Sequence, residues 1–487
     1  MNKTLLCAIT IISAATAQTF GEQNSTPFEI DEHLGTRWYG AYIGGRKVGH
    51  AVAEMVKTTC NDKPAYSSSL KIVMGFAAMG NHQKLTITEK NTYYAAGPLV
   101  ESVSSMGPMG EISGTVDGGT MRITSTIGGA KTQKQIPAPA VSLDDETAVL
   151  RLVLSKPKIG DSVSCSAFEP ISGKTLSVEF TFTGMRTMPI NGADASVLEI
   201  KSHTKEVNLD SLMLFDEAGE VLEFSIPMGT MSLALKRAEQ KQALGTSDEP
   251  VDVLDASTVR PEGTMPDLLG LQELRLRISG ISDEKCVLND SRQSYARNNG
   301  TYELTLRRDT MPAKPVLIPV KDAALQEFVK PTEVYQSEHP EVVRKAREIV
   351  GDERNAGRAA QMICLWVFNN VRKKGTVAFS NTLETLRTLE GDCGEHAALF
   401  VGLCRAVGLP ARMVNGLAYS SSFRAFGGHA WAEAYVGKWI AVDPTFGEPI
   451  ANPAHIKLVS DDTYLEAARM LGVLGKLKIE VMGENEE

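Results

Sequence analysis

The sequence predicts a multidomain protein, with an antiparallel all-β region on the N-terminal side and an α+β domain on the C-terminal side. Three observations predict this. Short alternating runs separated by Gly-rich turns fill residues 36–240. Near residue 322 the apolar period changes from two to that of a helix. A length of 487 residues also exceeds what one core usually organises. Apolar residues at 43% and charged residues at 22% describe a folded chain. A formal net charge of −9 excludes a dedicated nucleic-acid or anionic-membrane binder by its sign. Aromatics at 6% are too few for base-stacking platforms, and seven cysteines are too few for a disulfide scaffold.

The chain begins with Lys3, an apolar stretch from Leu5 to Ala14, and Ala15-Thr16-Ala17 followed by Gln18. This pattern predicts a cleavable secretory signal peptide over residues 1–17. The stretch is shorter than the roughly 17–25 residues of a membrane-spanning helix. The expectation is therefore an exported protein, periplasmic or extracellular, without a membrane span. Beyond it lie Cys60, Cys165, Cys286, Cys364, Cys393 and Cys404. An even number in an exported chain invites pairing, but no C-x-x-C pair supports a zinc ribbon or a thioredoxin-like site.

The elements follow in order. WYGAYIGGRKVGHAVAEM reads as a hairpin around Gly44-Gly45. SLKIVM, QKLTITEKNTYY, GTMRITSTI and KTLSVEFTFTGM continue the strands, and DSLMLFDEAGEVLEFSI is strand, turn, strand. Together they predict a sandwich or partly closed barrel over 36–240, with two halves meeting near residue 140. Residues 241–265 are polar and aperiodic, a linker. LGLQELRLRISG and GTYELTLRRD predict a small β unit over 266–320. The C-terminal domain is expected over 325–487. In it Pro340-Glu341 opens one helix, and a second spans about 355–373, with Cys364 and Trp366 as packing residues.

The segment 383–447 carries the chemistry. Gly391-Asp392-Cys393-Gly394-Glu395 precedes a helical run from Glu395 to Val407, stopped by Gly408 and Pro410. Cys393 thus sits at a helix N-terminus, where unpaired N–H groups and the positive dipole end stabilise an anion. A thiol so placed beside an imidazolium becomes a nucleophile at neutral pH. In GGHAWAEAYVGKWIAVDPTFG, His429 lies on a strand with Trp431, Glu433 and Tyr435 on one face. Gly437-Lys438 turns the chain, and Pro444 stops the return strand. The hairpin brings His429 and Asp443 towards one end, a base and a group to orient it. A two-residue turn would put Phe446 opposite His429 and leave Asp443 three residues nearer the turn. That is about 10 Å along the strand, which side-chain reach, twist or a bulge must close.

GDCGEHAALFVGLCRAVGLPARMVNG followed by GGHAWAEAYVGKWIAVDPT resembles the core of the transglutaminase-like superfamily of papain-fold cysteine enzymes. The resemblance implies Cys393 as nucleophile, His429 as general base and acid, and Asp443 as its orienter. It implies a papain-like α+β domain over 325–487, with the cysteine helix packed on an antiparallel sheet. The upstream β-rich segments resemble accessory domains of exported bacterial members. His396, three residues after Cys393, is expected to cap or pack, and Asp392 to cap the helix. His455 is expected at the surface. The stretch YSSSFRAFGG before His429 reads either as a substrate-gating lid or as an ordinary connection.

The expected function is an exported cysteine-dependent acyl-transfer enzyme acting on peptide or glutamine-type amides through a thioester. Hydrolysis, as by a peptidase or amidase, is favoured over amine crosslinking by a transglutaminase. A non-catalytic envelope-binding protein on a papain-like scaffold is the alternative. No EF-hand or zinc pattern appears, so no metal or cofactor is expected. The expected partners are a protein or peptide substrate and a cell-envelope partner met through the β-rich domains, with no nucleic acid.

Overall fold

The computed structural model describes residues 30–78, 80–95, 97–107, 110–127, 130–190, 193–228, 231–248, 250–252, 258–375, 381–459, 469–470 and 472–483. The signal peptide expected over residues 1–17 lies outside them. Among the described residues no helix is long and apolar enough to cross a membrane. Among the described residues Cys60, Cys165, Cys286, Cys364, Cys393 and Cys404 form no disulfide, so the pairing that their even number invites is not observed.

Alternation builds the N-terminal sheet. The strand Thr120–Ile127 buries Met121, Ile123 and Ser125 and leaves the residues between them facing outward, the pattern of a sheet with one covered face. Fourteen such strands between Gly35 and Ala238 form one antiparallel sheet. They make two meanders, eight strands ending at Pro137 and six beginning at Ser162. The meanders lie side by side because the first strand, Gly35–Ile43, pairs with the last, Met231–Ala238, from Trp38↔Ala238 to Ile43↔Leu233. Between them run two short helices, Leu143–Glu146 and Ala148–Leu154.

Gly44-Gly45 closes the first hairpin with φ of 56° and 81°. A two-residue turn matching strand twist requires positive φ at both residues. The sheet is rolled rather than split into a sandwich. Its two edge strands are Ala130–Pro137 and Ser162–Glu169, and Lys134 on the first donates to the Ser172 carbonyl just beyond the second, at 3.4 Å.

Residues 257–487 belong to a second compact unit. The helices around its site are α1 (Pro340–Val350), α2 (Ala356–Asn370), α3 (Thr382–Thr388) and α4 (Cys393–Ala406). Its main sheet comprises β1 (Thr258–Val259), β2 (Ala411–Ser420), β3 (Ala425–Tyr435), β4 (Trp439–Val442) and β5 (His455–Val459). The order is β1-β3-β2-β5, with β4 also paired to β3. Helix α4 is buried from Glu395 to Arg405, as a helix that is apolar on all sides must be. Its Phe400 and Leu403 share one core with Ile363 and Val367 of α2, Val342 of α1, and Met413 and Ile440 of the sheet.

A second sheet holds Gln293–Asn298, Thr301–Arg307, Glu273–Ser279 and Lys478–Val481, in that order. The segment 273–307 is therefore completed by the last strand of the chain, from Leu276↔Val481 to Ser279↔Lys478. Its Leu274, Leu276 and Leu304 pack into one cluster with Leu417, Phe426 and Ile456 of the main sheet.

Candidate active site

The start of α4 is fixed by its own sequence. Asp392 is the N-cap and accepts from the Gly394 N–H at 2.9 Å, while the Glu395 carboxylate accepts from the Asp392 N–H at 2.7 Å. This reciprocal capping satisfies donors that a helix start leaves open. Cys393 is the first helical residue. The incoming chain is held by a short parallel pairing of Arg372-Lys373 with Glu390-Gly391. Cys393 is half-buried, whereas Cys364 and Cys404 are fully buried and burial pushes both of their thiols up.

His429 comes from β3 and Asp443 from the end of β4. The hairpin between them differs from the expected two-residue turn. Tyr435 pairs with Trp439, so Val436, Gly437 and Lys438 form a three-residue loop. The reason is that Val436 leaves the ladder to join the helical core. One residue of register decides which face a side chain takes. A two-residue turn would set Asp443 opposite Ala432, facing away from the His429 ring. The observed register, carried one step past Ala432↔Val442, sets Asp443 opposite Trp431, on the face of His429. The backbone then turns away, with Asp443 bridging Glu448.

The His429 Nε2 lies 2.8 Å from Asp443 Oδ2. Since Nε2 is taken, Nδ1 is the ring nitrogen left open, and Cys393 acts on the same imidazole to raise its pKa. The imidazole is stacked between Phe446 and Trp431, at centroid distances of 4.7 and 6.1 Å. Burial alone would lower its pKa, but the Asp443 charge and hydrogen bond, followed by Cys393, raise it to about 10. Asp443 is wholly buried. Burial would push its carboxyl up, yet His429 and then His455 hold it well below the ordinary carboxylate range. Its Oδ1 accepts the Thr445 and Phe446 N–H groups at 2.7 and 3.0 Å.

Residues 343–444 match the family model of the transglutaminase-like superfamily. The C-terminal domain is transglutaminase-like. The chain is also similar to three solved structures. A candidate cysteine protease from Cytophaga hutchinsonii shares 18% identity over 46% of this chain and 82% of that one, with a TM-score of 0.31. A β-barrel-like protein from Brucella abortus, of a domain of unknown function, shares 9% over 42% and 95%, with a TM-score of 0.29. The periplasmic domain of TgpA from Pseudomonas aeruginosa, bound to ethylmercury, shares 15% over 39% and 83%, with a TM-score of 0.24. No curated protein matches the chain.

Two further features of the transglutaminase-like domain depart from the sequence reading. His455 is not at the surface. It is fully buried, and its Nε2 lies 2.9 Å from the same Asp443 Oδ2 that His429 uses. The only local signal for it was its place at the head of the apolar run HIKLV, which reads as a strand. The stretch YSSSFRAFGG is not a free loop. Tyr419↔Phe426 and Ser420↔Ala425 are paired, leaving a four-residue turn at 421–424, and Phe426 is wholly buried. His396 is buried as well, with Nδ1 2.6 Å from the Asp392 carbonyl, and burial lowers its pKa. It packs on the helix and faces its own cap. The ligand atoms of His429, Asp443 and His455 lie within 4.8 Å of one another, close enough to hold a cation. Both imidazoles, however, already spend their Nε2 atoms on Asp443, and a metal would have to displace both bonds.

Proposed function

We propose that the protein is an exported cysteine enzyme that transfers acyl groups from peptide or glutamine-type amides through a thioester. The observation that carries this reading is an imidazole, His429, bound at 2.8 Å to a buried, ionised Asp443, in the same domain as Cys393 at a helix start. A ring that keeps its proton up to about pH 10 is suited to balance a thiolate.

In this reading the Cys393 sulfur attacks the amide carbon and the carbonyl oxygen takes up negative charge. The Gly394 N–H is committed to the Asp392 cap, so we assign the Cys393 N–H as an oxyanion donor. His429 passes its Nδ1 proton to the leaving amine as the C–N bond breaks and the thioester forms. It then takes a proton from water, which attacks the thioester and releases the acid and the thiol. Water is present in any open cleft, which favours hydrolysis. A primary amine taking its place would give a crosslink. Asp443 holds the ring in the tautomer both halves need.

Iodoacetamide labelling across pH, followed by mass spectrometry, tests the reading without a known substrate. Fast alkylation confined to Cys393, at pH values where free cysteine reacts slowly, is expected. Labelling of the folded protein at the rate of free cysteine would sink it. Incubation with a glutamine peptide, with and without a labelled primary amine, then separates cleavage, deamidation and conjugation.

A further inference from the structure

Asp443 has a second imidazole, and nothing in the reaction above uses it. A carboxylate oxygen offers two lone-pair directions, and Oδ2 spends them on His429 at 2.8 Å and His455 at 2.9 Å. Oδ1 spends its own on the two backbone N–H groups of residues 445 and 446. The carboxylate, wholly buried, is thereby fixed on all sides, and any rotation of its plane would break four hydrogen bonds.

His455 is itself held in place. Its ring lies edge-on to Trp431 at 5.3 Å and to Phe446 at 5.9 Å, the two rings that enclose His429. Its Nδ1 faces the Asn452 carbonyl at 3.2 Å. Just before the second sheet's strand Gln293–Asn298 comes Arg292, a buried guanidinium, which donates through Nη1 to the His455 carbonyl at 3.0 Å and through Nη2 to the Asn452 carbonyl. Next to it, Gln293 exchanges hydrogen bonds with the Lys457 backbone, at 2.8 and 2.9 Å. A buried arginine spent on two backbone carbonyls is costly to maintain, and what it holds rigid is the start of β5, where His455 stands.

We propose that His455 is a positioning residue of this site, a fourth member that acts on Cys393 through Asp443 and His429. The proposal rests on the cysteine-enzyme reading. Without the His455 donor, a buried anionic oxygen is left with an unsatisfied lone pair. The site relieves this by admitting water to Oδ2 or by turning the carboxylate, and either competes with the His429 N–H. The imidazolium is then held less firmly and the Cys393 thiolate with it. Outer partners of metal ligands typically contribute 10–100-fold, and by the same logic of orientation about a tenfold loss is expected here.

The test uses the full-length protein, iodoacetamide as the probe, and mass spectrometry to read the rate at Cys393 near neutral pH. Two variants separate hydrogen bonding from packing. His455→Phe keeps an aromatic ring between Trp431 and Phe446 but has no donor. His455→Gln loses the ring but returns an N–H towards Oδ2. If His455 positions Asp443, the Phe variant is about tenfold slower than wild type and the Gln variant recovers most of the rate, even where melting shows it to be the less stable. A purely structural role predicts the reverse order, and that order would overturn the proposal, as would a Phe variant that labels as fast as wild type. Should the Phe variant not fold, the Gln variant decides alone: a rate within threefold of wild type supports the proposal and a full tenfold loss overturns it. Wild-type labelling no faster than free cysteine would instead overturn the enzyme reading, and this proposal with it.

Discussion

At the scale of single residues, His429 is where pH acts most directly. Its ordinary pKa is 6.5 and its folded value is raised to about 10, burial being outweighed by Asp443 and Cys393. A raised folded pKa means that its contribution to stability is complete below about pH 6.5 and is lost as pH rises through about 10. Asp443 carries the opposite sign. Its folded pKa is depressed, so its contribution is present above its ordinary value of 3.8 and is lost only in strong acid. Both are complete between about pH 4 and 6.5. Wild type is therefore expected to lose more melting temperature between pH 7 and 10 than His429→Gln, which has no proton to surrender. Parallel melting curves over that range would show that the ring does not hold its proton as described. His455 marks the limit of what could be read at this scale. Cys393 and His429 announce themselves through local glycines and strand pattern. The role of His455 comes only from the pairing of β2 with β5 and from a guanidinium about 160 residues earlier in the chain.

At the scale of elements, the start of α4 depends on an absence. A Cβ on Gly391 would come 2.2 Å from the Glu395 Cβ and 2.4 Å from its Cγ. Glu395 cannot simply move, because its carboxylate closes the capping box on the Asp392 N–H. Gly391→Ala should therefore force Glu395 out of its bond and destabilise the domain by about 1–3 kcal/mol, read by thermal or urea unfolding. A variant as stable as wild type would mean that the cap is not what seats Cys393. In the sequence this glycine only preceded the helical run, since its close contact exists only once α4 has formed. The β3–β4 hairpin was half legible in the same way. Gly437 marked the turn, and its φ of 114° shows why glycine stands there. The turn length was not legible, because it depends on Val436 preferring the helical core to the ladder.

At the scale of the whole molecule, local period told strand from helix, and the β-rich and α+β regions followed from it. Partnership between distant strands was not legible. The first strand of the N-terminal sheet pairs with its last, about 190 residues later. The final strand of the chain, Lys478–Val481, pairs with Glu273–Ser279. That second pairing sets the minimal unit that can fold. A fragment cut at residue 325, where the C-terminal domain was expected to start, would keep Leu417, Phe426 and Ile456 but lose Leu274, Leu276 and Leu304, which cover them. It would also lose Arg292 and Gln293 from the start of β5. Exposing such a cluster removes several side chains' worth of burial, at roughly 1.5–3 kcal/mol each, against a total domain stability of about 5–15 kcal/mol. Residues 325–487 alone should therefore aggregate or stay unfolded by circular dichroism. Residues 257–487 should melt cooperatively and alkylate at Cys393 at the full-length rate. If the shorter fragment instead folds and labels as fast as the longer one, the second sheet adds nothing to the C-terminal domain, and the brace from Arg292 to His455 loses its purpose with it.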